Sequence, residues 1–180
     1  MSKIALSGNA SGTGTLTIAA PNTNTDRTLT LPDNAGEIIT TGSTFAGTGP
    51  AFSAYQSSAQ TLSSNTATKL TFTTEEFDTN NCFASSTFTP TTAGYYQIIS
   101  GMEIASSATG MLLYVYKNGA NYKKLTNANP ASISGVNGCA IVYCNGSTDY
   151  IEIYGLVATG QALVAASVST YFQASMVRAA

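Results

Sequence analysis

Among the nine acidic side chains, Glu75, Glu76 and Asp78 form the one cluster, and Asn80 and Asn81 follow it directly. Carboxylate and amide oxygens at this density suit calcium, a hard cation that prefers oxygen ligands. The plainer reading is a solvated turn between strands, because the spacing is not that of a calcium loop. Paired carboxylates also hydrolyse glycosides, but neighbours on a strand point to opposite sides, so Glu75 and Glu76 do not make one acid/base pair. The sequence has no histidine, which removes Ser-His and Cys-His nucleophile schemes. Cys82, Cys139 and Cys144 are an odd number of cysteines without CxxC spacing, so neither a disulfide framework nor a zinc site is expected. If 139–144 is one strand, Cys139 and Cys144 face opposite ways. The expectation is no catalytic residue, no cofactor and no metal: the chain is not read as an enzyme.

Ten tyrosines are the other chemically useful group. Their rings stack on sugars and their hydroxyls hydrogen-bond them. Alternation puts Tyr114 and Tyr116 on one face, which a sugar, the core or a contact between copies can use equally well.

These side chains need a scaffold, and the periodicity describes an all-β one. No stretch keeps apolar residues at helical spacing for more than a turn or two, whereas alternation over four to eight residues recurs between Gly, Asn, Pro and Ser clusters. Strands are expected at 51–57, 68–73, 83–89, 94–105, 110–117, 121–126, 137–144, 148–156, 162–164 and 170–178. Asn-Gly at 118–119 and at 145–146 is a hairpin signal, because both residues tolerate positive φ. Phe72, Phe83, Phe88, Tyr96 and Phe172 are large groups at strand positions and are expected in the core rather than at a ligand site.

The organisation is an arm (1–43), a Gly/Pro linker (44–50) and one domain (51–180). In the arm, "TLTI" at 15–18 and "TLTL" at 28–31 alternate threonine with Leu16, Ile18, Leu29 and Leu31. Burying these side chains contributes about 1.5–3 kcal/mol each, whereas ordering a residue's backbone costs about 1–2 kcal/mol. A lone hairpin of this kind therefore needs partners, other copies or another protein. Arg27, Ile38 and Ile39 join the four aliphatics as expected arm contacts.

Only 9% of residues are charged and the net charge is -2, with the seven Lys and Arg scattered. A nucleic-acid partner is not expected, since phosphate backbones require a basic stripe. No apolar run of membrane-spanning length is present and the start lacks a secretion-signal core, so no membrane association and synthesis in a cytoplasm are expected.

The stretch "FTTEEFDTNNCFASSTFTPTTAGYYQI", 72–98, resembles the signature of the complement C1q globular head, a ten-stranded jelly roll of the tumour-necrosis-factor superfamily. Phe72, Asp78, Phe83, Phe88 and Gly94-Tyr95-Tyr96 carry the likeness, and "STYFQASMVR", 169–178, resembles that family's last strand. The sequence departs from the family in having four residues rather than six between Phe83 and Phe88, and Ile98 and Ser100 in place of the final aromatics. The resemblance implies a C1q/TNF-like sandwich that trimerises about a three-fold axis, packing aromatic and aliphatic side chains of one sheet against neighbours. The arm phrase "RTLTLPD", followed by Gly and a short aliphatic run, resembles segments of tailed-phage virion proteins. Together they imply a homotrimeric capsid decoration (cement) protein on the capsid surface, with the major capsid protein as partner. The alternative is a tail-fibre or receptor-binding protein whose head binds host glycans.

Overall fold

The computed structural model describes residues 10–15, 17, 19, 22–26, 28 and 49–180. The chain divides into two units, residues 1–38 and 39–180. In the first unit the described residues are all exposed, with a turn at Ala10 and Ser11. The Thr25 amide donates to Thr23 Oγ1 at 3.2 Å. Thr15, Thr17 and Thr28 belong to no strand in the single chain, and the rest of the segments 15–18 and 28–31 lies outside the described residues. The expected arm contacts Leu16, Ile18, Arg27, Leu29, Leu31, Ile38 and Ile39 lie outside the described residues, as does the expected linker up to residue 48.

The second unit is built from strands β1 (Ala51–Tyr55), β2 (Thr61–Leu62), β3 (Thr68–Lys69), β4 (Thr74–Asp78), β5 (Phe83–Ala84), β6 (Thr87–Phe88) and β7 (Gly94–Ala108). They continue as β8 (Met111–Lys117), β9 (Ala120–Ala128), β10 (Ile133–Cys144), β11 (Ile151–Val157), β12 (Gln161–Ala162) and β13 (Tyr171–Ala179). No helix is present among the described residues, and hence none long and apolar enough to cross a membrane. One sheet has the order β10-β7-β13-β1-β4; the other runs β5-β6-β11-β8-β9, with β3 also on β11. A small patch pairs β12 with β2. All the paired strands are antiparallel, so each can bury one face and leave the other outward.

The core fills the space between the sheets. From β7, Tyr96, Ile98, Met102 and Ile104 point inward; Met111, Leu113 and Val115 of β8 and Ile151, Ile153 and Val157 of β11 meet them. At one end the aromatic rings interlock. Phe52 stacks on Phe83 at 4.4 Å and meets Phe172 edge-on at 4.8 Å, while Phe88 meets Tyr96 edge-on at 5.3 Å. Such pairs add about 0.5–1.5 kcal/mol beyond their buried area. Phe72 packs against Phe172 in the same cluster. Tyr114 and Tyr116 alternate with the inward residues of β8 and therefore lie outside this core, half-buried on the outer side of their sheet.

Turns decide where this differs from the strand expectations. The 83–89 segment is not one strand: Ser85 and Ser86 both take positive φ, 50° and 58°. That folds β5 back on β6 with Phe83 opposite Phe88, the geometry of a two-residue type I′ loop. The four-residue spacing between the two phenylalanines thus spans a tight hairpin, which Ser86 anchors by accepting the Phe72 amide at 2.7 Å. Asn118 and Gly119, at φ 55° and 77°, make the expected hairpin between β8 and β9. The second Asn-Gly does not, because β10 and β11 belong to different sheets. Residues 145–150 instead cross between the sheets. Asn145 Oδ1 accepts the amides of Ser147, Thr148 and Asp149, each at 3.0 Å.

A buried carboxylate ties that crossing to the β8–β9 hairpin. Asp149, 7% exposed, accepts hydrogen bonds from Asn118 Nδ2 at 2.8 Å and the Asn145 amide at 2.9 Å. It also pairs with Lys117 Nζ at 2.8 Å. Burial works to raise its pKa, but the hydrogen bonds from Asn118, Lys117 and the Asn145 amide, with the Lys117 charge, outweigh it and hold the carboxyl below its ordinary value. Asn118 also pairs with Tyr150, its amide donating to the Tyr150 carbonyl and its Oδ1 accepting the Tyr150 amide.

Candidate interaction surface

The acidic cluster does not form a site. Glu75, Glu76 and Asp78 lie on β4, an edge strand rather than the expected solvated turn, because β4 pairs with β1. Asp78 is committed to the chain itself: Oδ2 accepts the Phe83 amide at 2.7 Å and Oδ1 the Asn80 amide at 3.3 Å, closing the turn into β5. No group of three or more metal-ligating side chains converges among the described residues. Cys82 and Cys144 are buried and Cys139 is exposed, all three as free thiols. Cys139 and Cys144 take opposite faces of β10, as their odd separation requires.

The unusual surface is the outer face of the five-stranded sheet. Since Tyr96, Ile98 and Ser100 point inward, the outward residues of β7 are Tyr95, Gln97, Ile99, Gly101 and Glu103. Register places Tyr143 beside Tyr95, Ile141 beside Gln97 and Cys139 beside Ile99 on one flank. On the other flank Ser175 lies beside Gln97, Gln173 beside Ile99 and Tyr171 beside Gly101. A Cβ at Gly101 would stand 2.8 Å from the Tyr171 ring, so glycine is what lets that ring lie across the sheet. Farther along, Tyr55 faces Tyr171 and Ser53 faces Gln173.

Charge is confined to the margins of this face. Glu103 and Arg178 stand at its two ends, and Glu76 at the edge accepts the Ser53 hydroxyl at 2.5 Å. Gln173 Nε2 donates to the same hydroxyl oxygen at 3.0 Å. Between them are apolar and amide side chains. Ile141 is 55% exposed and Phe77 52%, and Tyr95, Tyr143 and Val177 are also open. A solvated sheet face ordinarily alternates to charged or strongly polar residues; this one keeps large apolar groups outside as well as inside. Tyr95, Ile141, Val177 and Arg178 line an open groove of about 640 Å³.

Second-layer contacts hold the aromatic pair of this face in place. Tyr95 and Tyr143 meet at 5.5 Å. Lys117 Nζ donates to the Tyr143 carbonyl at 2.8 Å and sits 5.6 Å from its ring centroid. The Asp149 network thus reaches the surface through Lys117. Beneath the sheet, burial pushes the Cys144 thiol up to about 11 and raises the Tyr96 phenol well above its ordinary range. Both groups are structural and neutral: Tyr96 donates its hydroxyl to the Thr92 carbonyl at 2.6 Å.

Tyr114 and Tyr116 occupy the other outer face, that of the six-stranded sheet. Tyr116 stacks on Tyr154 at 3.8 Å, and Lys124 Nζ lies 5.8 Å from the Tyr114 ring. Burial, followed by the charge of Glu152, raises the Tyr154 phenol. Lys69 pairs with Glu152 at 2.8 Å on the same face and donates to Thr87 Oγ1. Here apolar and charged groups are interspersed as on an ordinary solvated sheet. The sequence reading missed Ile99, Ile141, Tyr143 and Val177. Their signal was present: "QIIS" at 97–100 and "AIVY" at 140–143 break the polar/apolar alternation, so both faces of these strands are apolar.

The sequence matches no protein-family model and no curated protein sequence. Solved structures do match its fold. The globular domain of zebrafish complement 1qA protein superposes with a TM-score of 0.54 at 18% identity, covering 73% of this chain and 99% of that one. Murine APRIL gives 0.56 at 10% identity, covering 72% and 99%. The Eiger TNF from S. frugiperda gives 0.54 at 8%, covering 73% and 94%. The head is therefore a C1q/TNF-like jelly roll, all-β as the sequence indicated.

Proposed function

We propose that the chain is a homotrimeric virion structural protein, a capsid decoration (cement) protein rather than an enzyme. The observation that carries the trimer is the outer face of the five-stranded sheet, which leaves large apolar side chains exposed and holds its charges at the ends. Packing three such faces about a common axis removes this apolar surface from water, at about 25 cal/mol per Å² buried. The phage assignment rests on the arm phrase, and the head supplies the outward body. In this reading the arm binds the major capsid protein at three-fold or quasi-three-fold positions, through contacts distributed over polar strand edges.

The alternative, a tail-fibre or receptor-binding protein, draws its support from Tyr114, Tyr116 and Tyr154 on the other outer face. Two of those rings already use a face on each other, which leaves less ring surface for a sugar. Adding purified protein to phage shells that lack it, and imaging them, separates the readings. Density at three-fold sites is the expected result. Density confined to the tail, or glycan binding without shell binding, refutes the cement reading.

A further inference from the structure

The lateral edges of the head carry opposite charges that the protomer leaves unneutralised. Among the described residues there are two salt bridges, Lys69–Glu152 and Lys117–Asp149. They leave Lys123 and Lys124, which lie over the Tyr122 and Tyr114 rings, without an ionic partner on β9, and Glu75 and Glu76, the latter accepting the Ser53 hydroxyl, without one on β4. β9 ends one sheet, beside β10 of the other, as the Thr126 hydroxyl bonded to the Asn137 carbonyl shows. β4 ends its own sheet on the opposite flank, joined to β5 by the short turn that Asp78 closes. Each edge also exposes an aromatic ring, Tyr122 at 48% beside the lysines and Phe77 at 52% beside the glutamates. Lysine on an edge strand blocks indiscriminate strand pairing, but a pair of glutamates on the opposite edge makes it a matched contact.

Resting on the homotrimer reading above, we propose that the heads associate head to tail. The Tyr122-Lys123-Lys124 edge of one copy meets the Glu75-Glu76-Phe77 edge of the next. A contact between two different edges is heterologous and closes into a ring when the rotation per copy divides the circle. A two-fold contact would set lysines against lysines or glutamates against glutamates, which like-charge repulsion disfavours. The partner is a second copy of this chain: its complementary edge is on the same molecule, and the apolar outer face of the five-stranded sheet runs from β10, which lies beside β9, to β4.

The test is charge reversal on the full chain, read by sedimentation or light scattering across concentration and salt, with circular dichroism confirming the fold. These side chains are exposed, so the fold is expected to survive, with Glu75→Lys alone as the control for the Ser53 hydroxyl contact that Glu76→Lys removes. Lys123→Glu with Lys124→Glu, and separately Glu75→Lys with Glu76→Lys, should each raise the dissociation concentration at least about tenfold. The quadruple variant, with both edges exchanged, should restore assembly to within about threefold of the wild type. Failure of the quadruple variant to recover, or a trimer indifferent to either reversal, overturns this register while leaving the trimer standing. A wild-type chain that stays monomeric at high micromolar concentration overturns the trimer as well.

Discussion

Replacing Asp149 with alanine removes three bonds at once, those from the Lys117 ammonium, the Asn118 side-chain amide and the Asn145 backbone amide; Lys117 keeps the Tyr143 carbonyl. Asp149 is only 7% exposed, while Asn118 and Asn145 are open to water. At about 1 kcal/mol net for each hydrogen bond lost, the loss is about 3 kcal/mol. Asp149→Asn keeps one carbonyl oxygen and should lose about half as much. Urea unfolding of the full chain at one fixed protein concentration measures both. The pH dependence adds an independent check. Because the folded pKa is lowered, the contribution is fully present above the ordinary aspartate value of about 4 and is lost as pH falls through the folded value. Asp149→Asn should therefore flatten part of the acid limb of the stability curve. An Asp149→Ala variant within about 0.5 kcal/mol of wild type, or an unchanged acid limb in Asp149→Asn, would refute the account of this network as the tie between the two sheets.

On the alkaline side the sign reverses. Cys144, raised to about 11, contributes stability that is intact below its ordinary pKa of about 9 and lost as pH rises toward the folded value. Urea midpoints should fall across that window, and less so in Cys144→Ala once its lower baseline is subtracted. Gly146→Ala should destabilise the head by about 2–4 kcal/mol in the same assay. Its φ is +72° and a Cβ would lie 2.3 Å from the Ala93 amide nitrogen, so both backbone and neighbour must shift. Ile141→Lys puts a charge on the β10 flank of the apolar outer face; the unfolding free energy should change by less than about 0.5 kcal/mol at a concentration where the wild type is monomeric, while sedimentation shows weakened self-association. Loss of folding in that variant, or undiminished assembly, would count against the face as an interface.

Much of this architecture is local information. A two-residue period makes a strand wherever threonines, tyrosines and branched aliphatics alternate, and the all-β class follows from its recurrence. The Asn118-Gly119 hairpin is local too, since positive φ is a property of those two residues. The identical dipeptide at 145–146 shows where local information stops: strands β10 and β11 join different sheets, so the same turn chemistry serves a crossing instead of a hairpin. The Ser85-Ser86 turn carries no glycine or asparagine to announce it, and its positive φ values persist because Phe83 and Phe88 are packed on both sides. Exposure of a face is decided least locally of all. Ile98 and Ile99 are alike in sequence, yet one is sealed between the sheets and the other lies on the outer face with Cys139 and Gln173 beside it. Period two states only that they point oppositely; which side meets the second sheet depends on strands tens of residues away, and packing between sheets settles it.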